Sequence, residues 1–146
     1  MVTIRGAELA DLEALLALYV QLSAANAQTD VAQARRGLEA TLAQSSVSLL
    51  VAERDGAVIG TLTLVIVPNI THNGAPWAQV ENMVVDAAER RLGIGDRLLA
   101  AARDEAWTQG CYKMQLQSAD HREGAHRFYS RFGFEPSSVG FRLYRA

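Results

Sequence analysis

Val80-Glu81-Asn82-Met83-Val84-Val85-Asp86 runs through Ala87-Ala88-Glu89 into Arg90-Arg91-Leu92-Gly93-Ile94-Gly95, and this passage sets the organisation of the chain. Residues 77–85 read as a strand. Beyond the turn, Leu98, Leu99, Ala102 and Ala106 recur along one side of a helix that ends at Gly110. A strand thus delivers the chain to a turn in which glycines remove side chains, so that backbone N–H groups at a helix N-terminus converge on one spot. Such a spot attracts phosphate through its unsatisfied donors and the helix dipole. Arg90 and Arg91 add positive charge to it. A bare Gly-x-Gly serves equally well to let a helix pack close to a strand, so the glycines by themselves leave both readings open.

Two standard nucleotide-binding patterns do not fit. A dinucleotide fingerprint needs Gly-x-Gly-x-x-Gly, but Leu98 stands where the third small residue belongs, and the passage lies late in the chain. The P-loop pattern Gly-x-x-x-x-Gly-Lys-Ser/Thr is absent.

Working outward, residues 2–5 predict a short first strand, and Leu12, Leu15, Leu16, Tyr19 and Leu22 recur at helical spacing. Residues 23–30 are small and polar and read as a loop. Thr29-Asp30 then caps a second helix carrying Val31, Leu38 and Leu42 despite an internal Gly37. Residues 47–53 and 57–67 form a hairpin about Arg54-Asp55-Gly56, and a polar connection leads to the strand at 77–85. After the central helix, residues 111–117 predict a strand, 123–131 a short helix stopped by Gly133, and 139–144 a final strand. The order β-α-α-β-β-β-α-β-α-β, without repeats or low-complexity segments, is that of an α/β (α+β) chain with a mixed sheet.

The 146 residues make one domain, taken as 1–146, and 49% hydrophobic content with 21% charged predicts a real core. The formal net charge of −2 supplies no global positive field, so neither nucleic acid nor an anionic membrane is an expected partner, and an anion must be held locally. The single cysteine, Cys111, excludes an intrachain disulfide framework and a cysteine zinc site, and predicts a buried small residue in a reducing compartment. The first residues carry acidic side chains where a signal peptide has its apolar core, and no run approaches the roughly 18 apolar residues of a membrane span. A cytoplasmic enzyme or binding module is the expectation.

The element Arg90-Arg91-Leu92-Gly93-Ile94-Gly95 resembles the acyl-CoA pyrophosphate loop, Arg-x-x-Gly-x-Gly, of the GNAT superfamily of N-acetyltransferases. Glu81-Asn82-Met83-Val84-Val85-Asp86 is similar to that superfamily's fourth strand. Ala125-His126-Arg127-Phe128-Tyr129-Ser130-Arg131-Phe132-Gly133-Phe134 resembles its Ala-x-x-Phe-Tyr-x-x-x-Gly-Phe element. Three motifs in the right order, with the same element order, extend the resemblance over nearly the whole chain. It implies a mixed, mostly antiparallel sheet of six to seven strands flanked by about four helices.

The resemblance also implies roles. Acetyl-CoA is the donor, with no metal. Backbone groups of Met83, Val84 and Val85 pair with the pantetheine arm where the fourth and fifth strands splay apart, and those of Arg91, Leu92, Gly93, Ile94, Gly95 and Asp96 hold the pyrophosphate, with the Arg90 and Arg91 side chains close by. Phe128 and Tyr129 complete the cofactor site. Many members have an Asn seven residues before the tyrosine; here Arg122 stands there, a candidate for a CoA phosphate or an exposed charge.

Acetyl transfer from a thioester to an amine needs an unprotonated amine, a donor for the tetrahedral oxyanion and a proton for the departing thiolate. The backbone N–H of Met83 is the candidate oxyanion donor. Tyr129 occupies the family's general-acid position; its alternative is a core aromatic beside Phe128. Glu81 lies two residues before Met83, so strand alternation places the two side chains on one face and makes Glu81 the candidate base; its alternative is a structural carboxylate or substrate anchor. His72 and His121 are further ionisable groups. Asn69, Thr71 and Trp77 are candidate contacts for a small-molecule amine acceptor, with ordinary loop polarity as the alternative. Residues 110–113 with 80–86 also look like hexosamine-phosphate N-acetyltransferases, although residues 68–77 contain no Lys or Arg to hold a phosphate. An acetyltransferase acting on a protein amine and a non-catalytic acyl-CoA-binding regulatory module stay open. Self-association by pairing of exposed strands is common in the superfamily, so the resemblance implies a homodimer.

Overall fold

The computed structural model describes residues 1–119 and 122–145. Its chain order is β1 (Val2–Gly6), α1 (Leu12–Leu22), α2 (Val31–Leu42), β2 (Val47–Arg54), β3 (Ala57–Val67), β4 (Trp77–Val85), α3 (Ile94–Thr108), β5 (Met114–Gln115) and α4 (Glu123–Phe132). The strands lie side by side in the order β1-β2-β3-β4-β5, antiparallel except for the β4–β5 pair. Short 3₁₀ turns precede α1 and α2 and interrupt the β3–β4 and β4–α3 connections.

Local chemistry accounts for the starts of the helices. Asp30 caps α2, its side chain accepting a hydrogen bond from the Gln33 backbone at 2.9 Å. Arg5 on β1 grips Asp11 at the start of α1 through two guanidinium nitrogens at 2.8 and 2.9 Å, and its Nε donates to Glu53 on β2 at 2.7 Å. The guanidinium holds the buried Asp11 carboxyl below the usual carboxylate range, against the opposing effect of burial.

Alternation along the strands splits the apolar residues between two layers. Leu62, Leu64, Ala78 and Val80 face Ile94, Leu98, Leu99 and Ala102 of α3, with Phe128, Tyr129 and Phe134 packed alongside. On the other face Leu49 and Val51 meet Leu15 of α1 and Leu38 of α2. Cys111 is buried in the first layer, where desolvation pushes its thiol up.

Five strands, not six to seven, form the sheet among the described residues. The segment expected as a strand at 111–117 narrows to Met114–Gln115, because β5 meets β4 only at Ala78↔Met114 and Gln79↔Gln115 before the two diverge. Residues 139–144, expected as the last strand, carry no strand pairing and lie exposed. Their apolar alternation suits a pleated surface, and Gly140 lies close to the Gln117 side chain, but among the described residues no backbone ladder forms with them.

Candidate active site

The site is built where β4 leaves β5. Past Gln79 the β4 backbone has no ladder on its β5 side, among the described residues, so the two strands open a wedge beside residues 80–85. On its other side β4 keeps its ladder with β3, except for one irregularity. The register passes from Thr63↔Glu81 to Thr61↔Val84, which sets Asn82 and Met83 together opposite Leu62. This is a β-bulge, and Asn82 takes the left-handed conformation it requires, with φ +51°.

The bulge corrects the expected facing of Glu81 and Met83. Val80 and Met83 both pack on the α3 side, whereas Glu81 lies with Gln79, whose amide donates to Glu81 Oε1 at 3.1 Å. The two residues flank the same turn of backbone but serve opposite faces of the sheet. Glu81 is exposed, and Gln115 in turn donates to Gln79 at 2.8 Å.

The glycine turn divides its labour. Gly93 is the N-cap of α3, with φ +76° and ψ +10°, and no side chain caps the helix there. Arg97 N–H donates to Gly93 O at 3.2 Å, closing the first turn of the helix. The N–H groups of Ile94, Gly95 and Asp96 precede that first closure and point off the helix end. Arg91, also left-handed at φ +66°, and exposed Leu92 lead into the cap. Gly95 is needed for a different reason: a Cβ there would stand 2.9 Å from Phe128 Cζ and 3.4 Å from Met83 Cε. Thus the backbone requirement falls on Gly93 and the packing requirement on Gly95, where α4 and β4 close over the helix start. Arg90 is tethered, its Nε donating to Val85 O at 3.2 Å, and an ion pair between Arg54 and Glu89 braces the same turn. Asp86 accepts from Ala88 N–H at 3.1 Å, and Gln21 of α1 accepts from Ala87 N–H at 2.8 Å.

Tyr129 lies partly buried on α4, its ring 5.3 Å from that of Phe128 and 5.9 Å from that of Phe134. Burial pushes its hydroxyl up from 10.0, opposed by the charge of Arg122 at the N-cap of α4. Tyr129, Phe128 and Met83 pack against the same core layer. The structure therefore brings Met83, Gly95, Phe128 and Tyr129 together.

It does not bring Asn69, Thr71 or Trp77 to them. Trp77 opens β4 six residues before Met83, about 20 Å along the strand. The Asn69 amide donates to Thr71 Oγ1 at 2.9 Å and so closes its own loop. His72 stacks on Tyr112 at 3.8 Å in that same region, and His121 lies outside the described residues. Among the described residues no cluster of three or more His, Cys, Asp or Glu is arranged to hold a metal, and no helix is long and apolar enough to cross a membrane.

Sequence reasoning missed a cavity of about 330 Å³ on the α1–α2 face, bounded by Tyr19, Gly37, Leu38, Thr63 and Asn82. Burial pushes the Tyr19 hydroxyl up, against hydrogen bonding with Thr61 and Thr63. The one signal available was Gly37, a glycine inside an otherwise regular helix.

A family profile described as acetyltransferase (GNAT) matches residues 12–134. The aminoalkylphosphonate N-acetyltransferase of Salmonella typhimurium is 32% identical over 94% of this chain and 88% of its own. A glucosamine 6-phosphate N-acetyltransferase of rice, Oryza sativa, is 31% identical over 97% of this chain and 86% of its own. A solved chain from Agrobacterium tumefaciens superposes with a TM-score of 0.93 at 34% identity, covering 98% of this chain and 99% of that one.

Proposed function

The chain belongs to the GNAT acetyltransferase family and is an acetyl-transferring acyltransferase; we propose that it moves an acetyl group from acetyl-CoA directly to the primary amine of a small-molecule acceptor within a ternary complex. The observation that carries this reading is the uncapped N-terminus of α3 set beside the open edge of β4. An anion finds converging N–H groups at residues 94–96, and an extended chain finds unpaired strand backbone leading away from them. Both halves of a nucleotide-linked pantetheine are matched by residues already in place.

The donor supplies an activated acyl carbon. Arg91, Leu92, Gly93, Ile94, Gly95 and Asp96 hold its pyrophosphate, with Arg90 and Arg122 adding charge nearby. Met83, Val84 and Val85 present backbone to its arm, and Phe128 walls the seat. The Met83 N–H, re-aimed by the bulge, meets negative charge growing on the carbonyl oxygen; a preorganised donor of this kind contributes about 3 kcal/mol. Glu81 takes the proton that the amine loses as its C–N bond forms. Tyr129, kept protonated by burial, gives a proton to sulfur as the C–S bond breaks. One proton is taken and one is given, so the products are the amide and the free thiol.

The assay is release of CoA thiol from acetyl-CoA against a panel of amines, alongside calorimetry of CoA binding. Turnover with saturable CoA binding is the expected result. Binding without turnover of any amine would make the chain an acyl-CoA-binding module, and turnover of peptide amines alone would make it a protein acetyltransferase. A folded protein that binds no CoA ends the reading altogether.

We propose as well that the cytoplasmic, metal-independent enzyme is a homodimer. Val139, Phe141, Leu143 and Tyr144 are 79%, 93%, 100% and 78% exposed in an extended segment with strand-like alternation, and β5 is the last strand of the sheet. Pairing that segment with a second copy would remove this apolar surface from water.

A further inference from the structure

The cavity between α1, α2 and the β4 bulge borders the residues beside the proposed chemistry. Asn82, next to the Met83 N–H, forms part of its wall, and so does Thr63, the cross-strand partner of Glu81. Its lining is mostly apolar, with Leu12, Leu15, Leu16, Leu38 and Leu49 contributing. The polar groups that reach it are neutral amides and hydroxyls, including those of Asn26, Thr29 and Tyr19. No charged side chain lines it among the described residues. The arginines of α2 do not fill this gap, since Arg35 and Arg36 are exposed and Arg35 pairs with Glu39 at 3.3 Å.

A second observation concerns the rim of this space. Gly37 sits in the middle of α2, a twelve-residue helix, with no left-handed φ to require a glycine. Glycine inside a helix costs about 1 kcal/mol relative to alanine. A Cβ at Gly37 would have no heavy atom within 4 Å, and the residue lines the cavity. Neither backbone geometry nor a close neighbour requires a glycine here, and this exposed residue stands on the rim of the cavity, where a larger side chain would reach into it.

We propose that the acceptor is a primary amine on an uncharged, largely apolar body seated in this cavity, and that amines bearing phosphate or phosphonate are rejected. The proposal rests on the acetyltransferase reading above and narrows its substrate. A dianion buried without a cation loses its hydration and gains nothing in return. Here it would also approach the carboxylate of Glu81. An ammonium entering past Glu81 is attracted instead, and the apolar body behind it fills the leucine-lined space. The relatives named for aminoalkylphosphonate and glucosamine 6-phosphate share this chain's family, and the proposal sets its acceptor apart from the ones in their names.

The test compares thiol release from acetyl-CoA with 2-phenylethylamine, glucosamine 6-phosphate and 2-aminoethylphosphonate, and repeats it on Gly37→Leu. The expected result is a kcat/KM at least 100-fold higher for 2-phenylethylamine than for either anion. In Gly37→Leu the filled cavity raises KM for 2-phenylethylamine at least tenfold, while the Kd of CoA is unchanged and Tm does not fall. Preference for either anionic amine, no turnover of 2-phenylethylamine by protein that binds CoA, or an unaltered KM in folded Gly37→Leu would overturn the inference and leave the acetyltransferase reading standing. Failure of the wild-type protein to bind CoA would instead strike the reading beneath it.

Discussion

Gly93→Val isolates the backbone contribution to the anion seat. At φ +76° a valine occupies a region that β-branched residues almost never adopt, yet no atom lies within 4 Å of the position its Cβ would take. The penalty is therefore conformational and not a clash, about 2 kcal/mol if the backbone stays where it is. For a chain of this size that lowers Tm by about 6 °C. If the turn relaxes to escape the strain, the N–H groups that follow it swing off their common target. Loss of alignment at one or two donors to a charged group is worth about 2 kcal/mol, which raises the Kd of CoA about 30-fold. Gly93→Asn is the control, because asparagine tolerates the left-handed region; it should retain most of the affinity. The assay is calorimetry with CoA on variants whose fold is checked by circular dichroism. Folded Gly93→Val with an unchanged Kd would refute the anion seat, and equal losses in the Val and Asn variants would refute the conformational argument.

Tyr129→Phe should lower kcat about 100-fold with the Kd of acetyl-CoA within about twofold, as loss of a general acid requires; equal turnover would remove Tyr129 from the mechanism. Because burial raises the hydroxyl above 10.0 and the protonated form is the active one, wild-type kcat should show no falling limb between neutral pH and about 10, measured as a pH–rate profile. Arg5→Met should destabilise the fold by about 2 kcal/mol at pH 7. Arg5 lowers the Asp11 carboxyl in the folded state, so its contribution is fully present above the unfolded value near 3.9 and disappears as pH falls through the folded value; urea melts showing the same difference at pH 7 and pH 2 would contradict this. Light scattering should give about 32 kDa, twice the 15.9 kDa chain, and Leu143→Asp should return it to the monomer mass; a monomeric wild type would exclude pairing through the exposed tail.

Elements whose periodicity is strong and self-contained were legible from sequence. The spacing of Leu12, Leu15, Leu16, Tyr19 and Leu22 predicts a helix that the structure places at Leu12–Leu22, and β3 and β4 keep the predicted bounds Ala57–Val67 and Trp77–Val85. The glycine turn was legible too, although not the separate reasons for Gly93 and Gly95, since one depends on a dihedral angle and the other on Phe128, distant in sequence. Pairing was not legible. Residues 139–144 carry a strand's alternation without a ladder among the described residues, and Met114–Gln115 is all of its segment that β4 engages. Asn69 and Thr71 looked available because they are polar and in a loop, whereas each is engaged with the other. The cavity draws on residues from α1, α2, β3 and β4, so no local window could have shown it.

The inserted residue at Asn82 explains how one strand can serve two chemistries at once. In an unbroken strand Glu81 and Met83 would share a face, and the acceptor's base would stand on the side occupied by the donor's binding wall. With the bulge, Met83 turns to Gly95 and Phe128 beneath α3 and α4, Glu81 turns to Gln79 on the opposite face, and Asn82 borders the α1–α2 cavity. Three consecutive residues thereby address donor, acceptor and the seam between them. On the proposed reading, an amine arriving from the cavity and a thioester lying in the β4–β5 wedge would meet at the backbone of Met83 from opposite sides. If Glu81 is the base and Tyr129 the acid, as proposed, the two proton transfers do not compete for one group, because these residues stand on different faces of the same sheet. The left-handed φ at this position, which asparagine tolerates, is what makes that separation possible.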